Sequence, residues 1–240
     1  MESVWEDVSK ILIVFIIGTI GGIFADQILW PYFIERPLFY KYRLEQQPIN
    51  QYITKEIIIQ ENTALTKAIE KVEKAVVGIK SQTKTKKALE GSGLIVTSDE
   101  GLIITLADLV PKGWQVFVFL DNEKIPAQVL QRKNDLALLK IEKANLVPAG
   151  FADFENIKLG QRVFLLGVIF EEKKPQKLVN EGIIKTFNQK ILKTNIYDST
   201  SLWGSALFDI EGQLVGINIV DKYGRVSAIS IKQIRNFLKL

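Results

Sequence analysis

The chain has 240 residues, 47% of them hydrophobic and 24% charged, which excludes an intrinsically disordered chain and allows one large domain with an appendage or two small domains. Its formal net charge is +4, but the lysines are scattered and form no stripe interleaved with aromatic residues, so nucleic-acid binding is not indicated. It contains neither cysteine nor histidine, which excludes disulfides, thiolate chemistry and imidazole catalysis. Because EF-hand and phosphate-loop patterns are missing too, we predict no metal site and no cofactor.

The first predicted element is an apolar segment at residues 11–30. Its first fifteen residues carry no charge, and twenty helical residues rise about 30 Å, enough to cross the hydrocarbon core of a membrane. A cleavable signal peptide fits poorly, because residues 1–10 hold three acidic residues against Lys10 and no small-x-small cleavage site follows. We therefore predict an uncleaved membrane anchor, with a buried helix of a soluble domain as the alternative. Gly18 and Gly22 have the GxxxG spacing that lets two such helices pack closely, so a homo-oligomer is also predicted as an option.

The segments around the anchor connect it to a domain predicted at residues 63–240. Residues 1–10 are predicted to form an N-terminal tail, and residues 31–62, which three prolines interrupt, a juxtamembrane stalk. The pattern turns helical at Thr63, which can cap a helix, and this helix is predicted to end near Lys74. Its apolar residues recur at a spacing of three or four positions: Leu65, Ala68, Ile69, Val72 and Val76.

From residue 76 onward, short apolar or alternating runs are separated by turn residues, which predicts an all-β barrel or sandwich. A helix is predicted at the end, because apolar residues between 231 and 238 fall on one helical face. The predicted strands are 76–80, 91–97, 101–106, 115–120, 124–130, 135–141, 161–167, 178–187, 205–210, 213–220 and 224–230.

Several of these segments, in order, resemble HtrA-type, trypsin-like serine proteases. Residues 91–110 (GSGLIVTSDEGLIITLADLV) and 134–141 (NDLALLKI) match the segments that deliver the histidine and the aspartate in that family. Three later segments, 159–167, 179–187 and 193–218, match in the same order, the last one without a gap. The resemblance implies two packed six-stranded β-barrels, in agreement with the strands predicted from the residues. The family often carries a PDZ domain after the barrels, and we expect none in this sequence.

The resemblance places unusual residues at two of the three catalytic positions. The orienting carboxylate is retained as Asp135, but Asp108 stands at the position of the histidine and Trp203 at that of the nucleophilic serine. An indole offers one N–H donor and no nucleophile, and a carboxylate is a much weaker base toward a hydroxyl than an imidazole. Because loss of the nucleophile or the base alone typically lowers kcat by about a million-fold, we predict a proteolytically inactive chain.

The loop around Trp203 is the predicted binding segment. The resemblance puts Ser201 at the position of the glycine whose backbone helps form the oxyanion hole. The family binds an extended peptide in a cleft between its barrels, and such a groove can remain after the triad is lost. The residues predicted to contact a bound peptide are Ser201, Leu202, Gly204 and Ser205.

Two alternative ways in which the chain could still be catalytic are not favoured by the sequence. Ser205 could replace the nucleophile only by breaking the gapless match, and no histidine would activate it, so the nearby serines are interpreted as structural. Asp108 and Asp135 could share a proton and activate water, as paired carboxylates do elsewhere. Trp203 would fill the space that water and substrate need, so we expect Asp108 to be solvated or bonded to loop backbone.

The sequence therefore predicts a membrane-anchored pseudoprotease that binds a protein or peptide, or acts as a subunit of a membrane complex. A weak or unconventional serine-type endopeptidase and a structural oligomerisation scaffold are the alternatives. Three basic residues follow the anchor within residues 31–43 whereas only Lys10 precedes it, and the positive-inside rule alone would keep the barrels cytoplasmic. The resemblance is to exported proteins, so we predict that the barrels are extracytoplasmic.

Overall fold

The computed structural model describes residues 2–28, 30, 61–85, 87–121, 123–172 and 174–240, and the chain divides into two compact units, Met1–Ile58 and Ile59–Leu240. The first unit contains α1 (Glu2–Phe24), whose helical path continues through residue 28. The stretch Asp7–Ile28 is long and apolar enough to cross a membrane, with a mean hydropathy of 2.2 and no buried side chain. The predicted N-terminal apolar helix is thus present. The predicted stalk lies outside the described residues, except for residues 61 and 62.

The second unit begins with α2 (Glu61–Val72), which continues as a 3-10 turn, Glu73–Ala75. The helix begins two residues before the predicted start at Thr63 and ends two residues before Lys74. Ala68 and Val72 are buried, and a Cβ atom added to Gly212 would lie 3.1 Å from the Val72 side chain. The Lys71 ammonium donates a hydrogen bond to the Glu211 carbonyl oxygen at 2.8 Å. The apolar face of α2 therefore packs on the turn at residues 211–212.

Six antiparallel strands form a closed first barrel in the order β1-β2-β3-β6-β5-β4. Side chains that alternate toward the interior fill it, among them Ile79, Leu94, Ile104, Val118 and Leu139, all fully buried. The strands are β1 (Val76–Gln82), β2 (Ala88–Ile95), β3 (Leu102–Leu106), β4 (Gln115–Leu120), β5 (Glu123–Lys133) and β6 (Leu136–Ile141).

The second barrel is closed by the pairing of β11 with β12, in the order β11-β8-β9-β10-β13-β12. A two-residue strand, β7, pairs in parallel with β12 at its side. The predicted all-β fold of two six-stranded barrels is therefore confirmed. The strands are β7 (Gly150–Phe151), β8 (Arg162–Glu171), β9 (Lys174–Phe187), β10 (Ile191–Tyr197), β11 (Ala206–Asp209), β12 (Gln213–Val220) and β13 (Arg225–Ser230).

Two strands were not predicted from the sequence. The first, β7, is too short to show any alternation. The second, β10, contains the polar run Lys193, Thr194 and Asn195, and its pairing with both neighbouring strands shifts register there. The burial of the β10 residues does alternate, but the half-buried residue between Leu192 and Ile196 is the polar Thr194, so the sequence shows too little apolar alternation to predict a strand.

Contacts between the barrels centre on β8. The Val168 N–H donates to the Ser92 Oγ at 2.8 Å, and the Phe170 ring meets Phe119 of the first barrel edge-on at 5.1 Å. The predicted closing helix, α3 (Ile231–Leu238), buries its apolar face against the second barrel and is capped by Ser230, whose side chain accepts a hydrogen bond from the Gln233 N–H. The candidate site lies where the two barrels meet, beside Ser92.

Candidate functional site

The two aspartates of the predicted site lie on adjacent turns of the first barrel. Asp108 is in the 3-10 turn Ala107–Leu109 that follows β3, and Asp135 is in the tight turn between β5 and β6. The Ala107 N–H donates to the backbone oxygen of Asp135 at 2.8 Å and joins these turns. Both side chains are exposed, and neither makes a hydrogen bond or ion pair with any residue that the structure describes. The backbone thus brings the carboxylates into one region, where each is solvated and the two share no hydrogen bond.

The loop before β11 uses its backbone N–H groups within its own turn. The Ser201 N–H donates to the Ser199 Oγ at 3.2 Å, and the Leu202 N–H donates to the Ser199 carbonyl at 3.1 Å. The Trp203 N–H donates to the Thr200 carbonyl, also at 3.1 Å. In an oxyanion hole, N–H groups of this kind point toward the reacting carbonyl instead. In this conformation the loop therefore presents no paired donors to a substrate.

Trp203 lies half-buried with its indole against the end of β12. Its Nε1–H donates to the Val220 carbonyl at 2.6 Å. On the same edge of β12, Asn218 accepts from the Gly204 N–H at 3.0 Å and donates its own N–H to the Ser205 carbonyl at 2.8 Å. Asn218 and Val220 are two residues apart, so their backbone groups point to the same side of β12. The Trp203 indole therefore donates to this edge at Val220, one step beyond the backbone bonds at Asn218.

Of the four residues predicted to bind a peptide, only Ser201 has an exposed side chain. Leu202 is fully buried, with its Cδ2 2.7 Å from the place a Cβ on Gly167 would occupy. Gly204 is buried as well, and Ser205 is fully buried, with its Oγ accepting a hydrogen bond from the Asn218 amide at 3.0 Å. Peptide binding by this loop stays a prediction. In this conformation, Ser201 is the member of the predicted set whose side chain is accessible to a ligand.

Close approach of three segments holds this loop in place. The Ser92 N–H donates to the Trp203 carbonyl at 2.8 Å, and the Thr105 hydroxyl donates to the Ser92 carbonyl at 2.6 Å. A Cβ on Gly91 would lie 2.6 Å from the Trp203 oxygen, so only glycine fits there. Sequence reasoning missed the roles of Ser92 and Thr105. The GSG motif at residues 91–93 was the available signal, because a glycine pair marks close backbone approach.

The comparisons with known proteins identify the family to which this fold belongs. A sequence model of the trypsin-like peptidase domain matches residues 91–217, just over half of the chain. The chain belongs to the trypsin-like peptidase domain family. Probable periplasmic serine endoproteases of the DegP-like type from Halomonas elongata and Chlamydia pneumoniae are 29% and 30% identical to it over 152 and 151 residues. These matches cover 59% and 58% of this chain, but the chain spans only 31% and 30% of those relatives.

Solved structures of an HtrA-type protease and of another serine endoprotease show the same fold. An HtrA-type protease with a tripeptide superposes with a TM-score of 0.64 at 25% identity, and a serine endoprotease from Yersinia pestis with 0.65 at 24%. Both matches cover 73% of this chain, and 62% and 65% of the other chains. The chain is thus similar in sequence and fold to HtrA-type proteases, as its sequence motifs predicted.

The cavities among the described residues include three of about 360 to 390 Å³, and Trp203 lines none of these three. One contains Asp135 and lies between the β5–β6 turn, the β9–β10 turn and α3. In the described part of the chain, no group of three or more acidic residues is placed to hold a metal ion. The prediction that the chain has no metal or cofactor stays a prediction.

Proposed function

We propose that this chain is a membrane-anchored, proteolytically inactive homologue of HtrA-type proteases that acts by binding a protein or peptide, or as a subunit of a membrane complex. The observation that carries the proposal is the state of position 203. An indole lies where the family's pattern requires a hydroxyl, and its N–H is bonded to the Val220 carbonyl.

The serines near position 203 offer no replacement nucleophile. Ser205 is fully buried, and its Oγ is bonded to an amide rather than to a base. Ser201 is exposed, but its hydroxyl donates to the Ser199 Oγ at 3.0 Å. A serine attacks a carbonyl only when a base accepts its proton, and the chain contains no imidazole to do so. These contacts support inactivity by the family's mechanism.

Binding would use the edge of β12 or the surface next to it. An extended peptide can add to a free strand edge through its main chain, and an HtrA-type relative has been solved with a tripeptide. In this chain the indole of Trp203 already bonds to the Val220 carbonyl on that edge. A peptide that paired there would displace the indole, whereas one that remained outside would contact Ser201.

The apolar helix supports membrane attachment. Its 22 residues, Asp7–Ile28, rise about 33 Å, close to the thickness of a bilayer's hydrocarbon core. The relatives are described as periplasmic, which favours an extracytoplasmic position for the barrels. Alkaline phosphatase fused after Leu240 is expected to be active, because it folds only outside the cytoplasm. If a reporter that functions only in the cytoplasm is active when fused at the same position, this topology is wrong.

Catalytic inactivity is tested with the full chain in a non-ionic detergent and fluorescently labelled casein. We expect no turnover above the protein-free control, while an active HtrA-type protease cleaves the casein in parallel. Any signal is then followed in Asp135→Asn and Ser205→Ala. If turnover is present and either substitution abolishes it, the chain is a weak endopeptidase and the proposal fails.

Binding is tested by placing a photo-crosslinking residue at position 201 of the full chain. Unfolded casein fragments serve as the peptide probe, and a crosslinker at the exposed Lys112 of the first barrel serves as the matched control. We expect adducts from position 201 and none from position 112. Equal adducts, or none from either position, would contradict a peptide site beside Trp203.

A further inference from the structure

A cavity of about 390 Å³ opens on the outer face of the second barrel, and Trp203 is not among the residues that line it. Leu192 and Val226 face the core from β10 and β13, so their neighbours along these strands face outward. The residues that line it, through side chain or backbone, are rich in cations and hydroxyl groups: Lys185, Thr186, Lys193, Thr194, Tyr197, Asp221, Arg225, Val226 and Ser227.

A bulge in β9 places two cations on this face. Lys193 of β10 pairs with Thr186, and the next residue, Thr194, pairs with Ile184, which leaves Lys185 without an opposite residue. Bulges of this kind turn a side chain out of the usual alternation. Lys185 and Thr186, although adjacent in sequence, are accordingly both exposed, whereas Ile184 is fully buried. The bulge thus brings Lys185 to the same face as Lys193.

A second irregularity, in β10, makes the concavity. Lys193 pairs with Ser227 and Tyr197 with Arg225, so three residues of β10 span what one residue of β13 spans. The Thr194 hydroxyl donates to the Val226 carbonyl at 2.9 Å and fixes the bulged segment. Both irregularities thus fall among the residues that line the cavity, next to its cations.

The carboxylate among the lining residues, that of Asp221, is hydrogen-bonded within its own turn. Asp221 accepts hydrogen bonds from the Tyr223 N–H at 2.8 Å, the Arg225 N–H at 3.0 Å and the Arg225 Nε–H at 2.7 Å. Desolvation opposes ionisation of Asp221, but these hydrogen bonds outweigh it and the pKa of the carboxyl lies below its ordinary value. Asp221 therefore orients Arg225, and the three cations leave the cavity with two net positive charges.

We propose that this cavity binds a phosphate group, carried by an anionic lipid headgroup or present as free phosphate. Lysine and arginine make strong charge-assisted hydrogen bonds to phosphate oxygens, and the hydroxyls of Thr186 and Ser227 can donate to the same oxygens. Several donors that converge on a concave surface hold an anion better than scattered surface cations do. None of the residues predicted to bind a peptide lines this cavity, so the proposal does not depend on the proposed function.

The test is isothermal titration calorimetry on the full chain in maltoside detergent at low salt. The probes are inorganic phosphate and dihexanoyl phosphatidylglycerol, each titrated to about 10 mM, where sites of millimolar affinity saturate. The test variant is Lys185→Gln with Lys193→Gln. Its control, Lys112→Gln with Lys174→Gln, removes the same charge from exposed positions outside the cavity.

We expect saturable binding to the native chain that weakens about tenfold or more in the test variant and by less than about twofold in the control. Tighter binding of phosphatidylglycerol than of phosphate would assign the site to a lipid headgroup, and equal binding to free phosphate. The proposal is overturned if neither probe saturates, or if both variants weaken binding equally, since that result reflects only net charge.

Discussion

Replacement of Gly204 by alanine tests how tightly the loop that carries Trp203 is held. Gly204 has a φ of +75°, in the left-handed region, where an added Cβ costs about 1–2 kcal/mol. That Cβ would overlap the carbonyl oxygen of Ser92 and lie 2.9 Å from both Leu109 Cδ1 and Thr105 Oγ1. Overpacking of this kind costs a further ~1–3 kcal/mol.

The surrounding hydrogen bonds add to the expected loss. Ser92 cannot retreat without lengthening its hydrogen bond to Trp203, and Gly204 cannot move without lengthening its bond to Asn218. Each such bond is worth about 1 kcal/mol net. One such bond lengthens whichever residue moves, so we expect Gly204→Ala to lower the free energy of unfolding by about 3–6 kcal/mol.

Gly113→Ala is the matched control. Gly113 has a φ of +80°, but a Cβ there would meet no atom within 4 Å, so only the backbone cost of about 1–2 kcal/mol remains. Both variants are measured by urea unfolding of the full chain in non-ionic detergent, followed by tryptophan fluorescence. If the free energies of unfolding of Gly204→Ala and Gly113→Ala fall by amounts that agree within about 0.5 kcal/mol, the loop does not pack on Ser92 and this reasoning is refuted.

Three further changes test other parts of the molecule. Trp203→Phe keeps an aromatic ring but removes the hydrogen bond to Val220, and we expect a loss of about 0.5–1.5 kcal/mol in the same urea assay; unchanged stability would mean that the bond contributes nothing. Asp221 has a lowered pKa, so its ionised form stabilises the fold above the ordinary value of 3.8 and this contribution disappears as the pH falls through and below it. Asp221→Asn should therefore lower the free energy of unfolding at pH 7 and lower it much less at pH 2.5. An equal loss at the two pH values would contradict a stabilising role of the ionised carboxylate. Gly18→Leu with Gly22→Leu meets open space in the single chain, so a lower mass in detergent would report a lost helix–helix contact, and an unchanged mass would exclude a GxxxG dimer.

The regular part of the second barrel was predictable because its signals are local. β8, β12 and β13 each alternate or form short apolar runs between turn residues, and the closing helix shows its buried face in the spacing of Ile231, Ile234 and Phe237. In β10 this failed. Its polar run pairs through bulges, so its place in the sheet depends on the strands on either side and not on its own pattern.

The candidate site was only partly predictable. That Trp203 and Asp108 stand at the positions of the serine and the histidine is a prediction from the ordered motifs, which depend only on the identity of each residue. The burial of Leu202 and Ser205 could not, since it follows from contacts with Gly167 and Asn218 elsewhere in the chain. The predicted peptide-binding set therefore has one exposed side chain, that of Ser201, rather than four.

The sequence by itself determined the barrel fold, the apolar N-terminal helix and the absence of any imidazole, because these depend on local periodicity and composition. Only the tertiary structure decided where the Trp203 indole binds, 17 residues along the chain at Val220, and that the N–H groups of its loop bond inward. It alone also brought Lys185, Lys193 and Arg225 to one cavity. Contacts of this kind join segments that are far apart in sequence, and chain folding, rather than residue type, sets the distance between them.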